Sequence, residues 1–185
     1  MKAQLAADLT SEKKADGSTQ TVKPYVDQTK KIFACKIYDT ENFAKEDLEM
    51  VFKEVKINSM LRSEYCIRHY QTIKTSNKIY MIQEYANCFD LDCLLEQRGT
   101  LKQDEARIIM RQLAKGIKDL QSMKIVHRDM KLANVLLHFP DRPKLDKLPP
   151  NMKRQFLKTV NLTQIPFEVK ISDFGLSTVF EGNQS

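Results

Sequence analysis

Between Ile125 and Phe139 the chain reads IVHRDMKLANVLLHF, with His127, Arg128, Asp129, Lys131 and Asn134 inside eight residues. Ile125-Val126 precede this group and Val135-Leu136-Leu137 follow it. A core strand does not carry four chargeable groups and an amide, and a solvated loop is not pinned between two apolar runs. Three more polar residues stand where the local pattern calls for apolar ones. Lys36 lies inside KIFACKIYD, Glu54 on the inner stripe of a helix, and Asp173 between VKIS and Phe-Gly. A lone buried charge is expensive, so each requires a counter-charge or a ligand. The chemistry open to such groups is charge neutralisation and proton handling at fixed positions. The plainer alternative is a Lys36–Glu54 pair that merely ties a helix to a strand.

The elements that must hold these residues follow from periodicity. Residues 31–39 alternate as a strand, with Ile32, Ala34, Lys36 and Tyr38 on one face. A helix is expected over roughly 43–62, with Met50, Glu54, Ile57 and Leu61 sharing a stripe. KIYMIQEYA (78–86) is a second strand. Thr100 and Gln103 fit a capping box opening a helix over 103–122, with Ile109, Leu113, Ile117 and Leu120 on its buried stripe. NVLLHF and FEVKIS form a hairpin around a Pro-rich insert at 140–166. That insert is expected to extend the hairpin on the surface, with a short helix facing Met152, Phe156 and Val160 inward.

Composition bounds the function classes. The 185 residues carry a formal charge of +6 spread along the chain, which predicts a solvated basic surface and no nucleic-acid partner. The sequence has no apolar run long enough for a membrane span and no secretory h-region, so no membrane association is expected. Cys35, Cys66, Cys88 and Cys93 lack CxxC spacing, which predicts reduced thiols and a cytoplasmic location.

HRDMKLANVLL followed by DFG resembles the catalytic core of the eukaryotic protein kinases, H-R-D-x-K-x-x-N and D-F-G, and FACK resembles their strand lysine. The resemblance covers about residues 15–185. It implies an α+β, two-lobed fold: a small antiparallel sheet with one helix over 1–86, and a mainly helical part over 87–185. It also implies ATP and Mg²⁺ as cofactors and a protein substrate bearing Ser or Thr. Phosphoryl transfer needs positioning and charge neutralisation more than covalent help. By the resemblance, Lys36 holds the α/β-phosphates and Glu54 orients it. Asp129 accepts the hydroxyl proton or aligns that hydroxyl, and Lys131, in the serine/threonine pattern, neutralises the transferring phosphoryl. Asn134 and Asp173 are oxygen ligands for Mg²⁺. His127 and Phe174 are structural spine residues, and Arg128 receives an activation-loop phosphate. Gln83 is the gatekeeper, Glu84 and Ala86 offer backbone bonds to adenine, and Asp90 reaches the ribose. Ala34, Val22 and Leu136 sandwich the ring. The resemblance points to the autophagy-initiating or calmodulin-dependent-like branches.

The chain departs from the family pattern in three places. The stretch ADGSTQTV keeps Gly17 and Val22 of the phosphate-covering loop, while Ala15 and Gln20 replace its outer glycines. Asn58 stands at an ordinarily apolar position, where it requires a partner. Asn134 and Asp173 lie 39 residues apart, against roughly a dozen in the family. A complete domain has about 250 residues or more, so the chain reads as a fragment of a longer kinase or as a truncated product with another role. The Ile109, Leu113 and Ile117 face of the 103–122 helix is expected to be left partly bare or covered by a partner protein. The rival readings are a non-catalytic, pseudokinase-like scaffold and a small-molecule phosphotransferase with a kinase-like core.

Overall fold

The computed structural model of the chain describes residues 11–13, 19–26 and 31–180, with side chains at 26 and 31–180. It divides into two compact units: Met1–Met60 with Arg68–Tyr85, and Leu61–Ile67 with Ala86–Ser185. Leu61–Ile67 falls with the second unit rather than with the first 86 residues. The cause is backbone pairing: Ile67 N donates to Ile171 O and Ile171 N to Tyr65 O, at 2.9 and 2.7 Å.

The first unit is a five-stranded antiparallel sheet in the order β1-β2-β3-β5-β4 with one helix. Its strands are β1 Ser11–Lys13, β2 Thr19–Val26, β3 Ile32–Asp39, β4 His69–Lys74 and β5 Lys78–Glu84; the helix is α1, Lys45–Met60. Register sets Lys36 opposite Val22 on one side and Met81 on the other. Tyr38, Val51, Ile79 and Met81 form the core, with Phe43, Leu48 and Val55 against it. The inward face of α1 is Val51, Glu54, Ile57 and Asn58. Of the expected stripe, Glu54, Ile57 and Leu61 are buried and Met50 alone is not, at 46% exposed: 100° of helical rotation turns Met50 out and Val51 in. Strand β4 carries no readable apolar alternation, because as an edge strand it is largely exposed.

The second unit holds α2 (Leu91–Arg98), α3 (Gln103–Ser122), β6 (Ile125–Val126), β7 (Val135–His138), α4 (Pro150–Thr159), β8 (Glu168–Ile171) and β9 (Thr178–Val179). Strand β6 pairs with β9 and β7 with β8, both antiparallel. Asp90 caps α2 by accepting from Cys93 N at 2.8 Å, and Gly99, at φ 74°, closes it. The capping box of α3 is shifted from the expected Thr100/Gln103. Gln103 is already the first helical residue, and it is Glu105 Oε2 that accepts from Lys102 N, at 3.3 Å. The buried stripe of α3 is Glu105, Ile109, Leu113, Gly116 and Leu120. Gly116 continues it in place of Ile117, which is 49% exposed. Gly116 lets the helix pack closely there, since a Cβ would meet Ile171 Cδ1 at 2.8 Å and Tyr65 Cβ at 3.0 Å and push them aside. No described helix is long and apolar enough to cross a membrane. None of the four cysteines is joined in a disulfide. Burial pushes the Cys35 and Cys88 thiols up to about 11, which keeps them protonated and inert near neutral pH.

The insert is not a surface extension of the hairpin. Leu145, Leu157, Val160 and Leu162 are buried, and Phe156 packs edge-on against Phe139 at 5.0 Å. Leu157 is the fully buried residue of α4, while Met152 is 51% exposed. A nearly buried Arg98 fastens the insert: Nε donates to Leu157 O at 2.7 Å, a second nitrogen to Val160 O, and the third to Glu105 Oε1 at 2.9 Å. Glu105 Oε1 also accepts from Leu162 N at 3.0 Å. Burial pushes the Glu105 carboxyl up, but the Leu162 amide, Arg98 and the Lys102 amide outweigh it and hold it below its ordinary range.

Breaking a buried pair leaves an uncompensated charge, so Glu105→Ala is expected to cost about 3–5 kcal/mol in urea unfolding at pH 7. Because the folded-state value is depressed, the stabilisation is complete above the ordinary carboxylate value and disappears as pH falls through the lower, folded-state one. Glu105→Gln should therefore flatten the acid limb of the stability curve. An acid limb identical to that of the unaltered chain would contradict this role.

Candidate active site

In the first unit, β-alternation puts Lys36 and Tyr38 on the face that meets α1. Lys36 and Glu54 are each 4% exposed and form a salt bridge through Glu54 Oε1. The Tyr38 hydroxyl donates to Glu54 Oε2 at 2.8 Å. Asn58, 1% exposed, finds its partners: Nδ2 donates to Glu54 O and Oδ1 accepts from Gln83 Nε2, both at 2.9 Å. A polar residue at this ordinarily apolar position is thus partnered, and its bond to Gln83 joins helix to strand. Ala34 stands opposite Gln83, and Phe33 opposite Glu84. Glu84 N donates to Arg68 O at 2.8 Å, so that amide belongs to the sheet edge. Val22 lies on β2 opposite Lys36; its side chain and Gly17 lie outside the described residues.

In the second unit, the charged loop between β6 and β7 is framed by buried aromatic rings. His127 is 4% exposed and stacks edge-on against Phe174 at 4.8 Å. Asp129 N donates to His127 Nδ1 at 3.2 Å, which places the ring hydrogen on Nε2; that nitrogen donates to Ser172 O at 2.9 Å. Ser172 N and Oγ in turn donate to Asn134 O, at 2.9 and 3.1 Å. One imidazole therefore links the loop of Asp129 to the segment of Asp173. Arg128 and Asp173 both have left-handed backbone, at φ 65° and 59°. Such geometry costs of order 1–3 kcal/mol per residue and persists only where surroundings enforce it. Here the enforcing contacts include Arg128 Nε to Leu176 O at 2.5 Å and Ser177 Oγ to His127 O at 3.1 Å.

Asp129, Lys131 and Asn134 meet directly. Lys131 Nζ lies 3.0 Å from Asp129 Oδ2, and Asn134 Nδ2 donates to Asp129 O and Oδ2 at 2.8 and 2.9 Å. The Lys131 bond holds the Asp129 carboxyl below its ordinary range, aided by Asn134 and opposed by burial and the charge of Asp173. With its side-chain Nδ2 donating to Asp129, Asn134 keeps its side-chain oxygen Oδ1 as a hard ligand atom. Together with the Asp173 carboxylate this suits Mg²⁺, which takes one or two protein oxygens and completes its octahedron from phosphate and water. Among the described residues no cluster of three or more His, Cys, Asp or Glu side chains could hold a metal by itself.

Leu136 lies on β7 and bridges to Asp90, whose carboxylate is engaged in capping α2. Burial pushes the Asp90 carboxyl up. Ala86 opens the segment running to Asp90. Asn87 anchors that segment to the end of β7, donating to Phe139 O at 3.0 Å and accepting from Phe139 N at 2.8 Å. Asn87 and Tyr38 are residues that motif reasoning missed. An Asn before a helix cap and a Tyr at the end of a strand carry no local mark of their role, which depends on partners 52 and 16 residues away.

The family model of the protein kinase domain matches residues 12–185. Serine/threonine-protein kinase SIK3 homolog of Danio rerio is 31% identical over 156 residues, 84% of this chain and 11% of that protein. Serine/threonine-protein kinase ULK1 of Homo sapiens is 31% identical over 150 residues, 81% of this chain and 13% of that protein. Serine/threonine-protein kinase 33 of Mus musculus is 27% identical over 153 residues, 83% of this chain and 28% of that protein. The chain belongs to the eukaryotic serine/threonine protein kinase family. It spans between 11% and 28% of the length of these three relatives.

His127→Phe keeps the ring volume beside Phe174 but leaves the Asp129 amide and the Ser172 carbonyl without their partner. The expected loss is about 1–3 kcal/mol in urea unfolding. An unchanged midpoint would mean that the imidazole does not frame the loop.

Proposed function

We propose that the chain is the catalytic core of a serine/threonine protein kinase and transfers the γ-phosphate of ATP to a protein hydroxyl. The observation that carries this reading is the Asp129–Lys131–Asn134 contact set, held rigid by the His127–Ser172 frame. A structural loop has no need of a carboxylate, an ammonium and an amide converging on one point.

Each residue then has a step. Lys36, oriented by Glu54, binds the α/β-phosphates. The Lys131 and Asn134 contacts that hold the Asp129 carboxyl below its ordinary range keep it ionised, so it accepts a hydrogen bond from the substrate hydroxyl and then its proton. Lys131 neutralises charge on the phosphoryl group in transit. Asn134 and Asp173 hold Mg²⁺, which when bound neutralises charge on the phosphate oxygens. Glu84 and Ala86 meet adenine through their backbone, Asp90 the ribose, and Val22, Ala34 and Leu136 the ring faces, with Gly17 beside the phosphates. The cytoplasm, where Mg-ATP and protein hydroxyls meet, is the proposed location.

The loop that keeps Gly17 alone, with Ala15 and Gln20 beside it, favours a second reading, a scaffold that retains the fold without turnover. Calorimetry separates the two. Mg-ATP should bind, and binding should be lost in EDTA and in Asp173→Ala. Binding of equal strength without metal, or in Asp173→Ala, would reject the catalytic reading and favour the scaffold.

A further inference from the structure

A carboxylate buried on an apolar face has two oxygens to satisfy, and a flexible ammonium on one of them leaves the group free to pivot. Glu54 is held on both: Lys36 bonds Oε1, and the Tyr38 hydroxyl donates to Oε2 at 2.8 Å. Tyr38 is itself fixed. It is 5% exposed and its ring belongs to the cluster of Val51, Ile79 and Met81. Register places Ile79 opposite Tyr38 and Met81 opposite Lys36, so the phenol and the ammonium approach Glu54 from one strand face. A phenol adds a donor without adding a charge, so it anchors the carboxylate while leaving its negative charge to Lys36. An O–H···O⁻ bond in a buried setting is about twice as strong as a neutral one.

We propose that Tyr38 is a positioning residue for Lys36: its hydroxyl holds Glu54 by the second oxygen, so that the Lys36–Glu54 pair is assembled before nucleotide arrives. The role rests on the reading of Lys36 as the phosphate ligand. The backbone of α1 is fixed to the same point, since Asn58 bonds both Glu54 O and Gln83. The hydroxyl therefore sets the side-chain pair inside a frame that is already rigid.

The test is Tyr38→Phe, which keeps the ring in the core and removes one donor. Amide exchange over residues 51–58 without nucleotide should rise about tenfold, and the dissociation constant for Mg-ATP should rise by a similar factor. In a Glu54→Ala background, Tyr38→Phe should change exchange no further, because the acceptor is gone. Unchanged exchange in Tyr38→Phe overturns the proposal, as does an equal rise in the Glu54→Ala background. Faster exchange with unaltered Mg-ATP affinity also overturns it, because the pair would then be loosened without consequence for Lys36. If the unaltered chain takes up no Mg-ATP, the kinase reading fails, and exchange alone decides whether Tyr38 holds Glu54.

Discussion

The buried carboxylate of Glu54 sets the terms for the first unit. Moving such a charge out of water costs several kcal/mol, and only partners in good geometry offset it. Lys36, Tyr38 and the register of β3 against β5 exist in the arrangement that supplies those partners. The core around Val51, Ile79 and Met81 then has two jobs, burial of apolar area and fixing the donors of one acceptor. This explains why an apolar strand tolerates a lysine, and why Asn58 sits at a position where burial alone would favour leucine.

The second unit solves a similar problem with hydrogen bonds rather than an ion pair. Two strained residues, Arg128 and Asp173, flank the groups that would do the chemistry. Their backbone is held by a run of hydrogen bonds from Ser177 through His127 and Ser172 to Asn134. A residue pinned this way loses little entropy when a ligand arrives, which is the physical content of preorganisation. The Arg98–Glu105 clamp extends the logic to the insert, turning a long connection into a packed part of the unit.

What was legible in the sequence is what depends on short-range pattern. The HRDMKLAN and DFG motifs, the strands carrying Lys36 and Gln83, and the full extent of α3 follow from spacing and periodicity. What was not legible depends on distant partners. Nothing near Arg98 marks it as the fastener of residues about sixty positions away. The swap of Gly116 for Ile117 on the buried face of α3 becomes visible only when Tyr65 and Ile171 are in place. Met50 and Met152 were placed inward because their spacing was helical, yet a shift of one residue moves a side chain by 100°. The edge strand β4 and the short helix α2 have no strong apolar period to betray them.

Phosphate transfer to a hydroxyl is the central claim, and Asp129 is the residue on which it turns. Incubation with γ-labelled ATP, Mg²⁺ and a serine-containing peptide measures it directly. The account predicts label on the serine from the unaltered protein and loss of at least a hundredfold in rate in Asp129→Asn, consistent with removal of a positioned general base, worth about 10²–10⁴-fold. Label transferred equally well by Asp129→Asn, or none from a protein that binds Mg-ATP tightly, would contradict it.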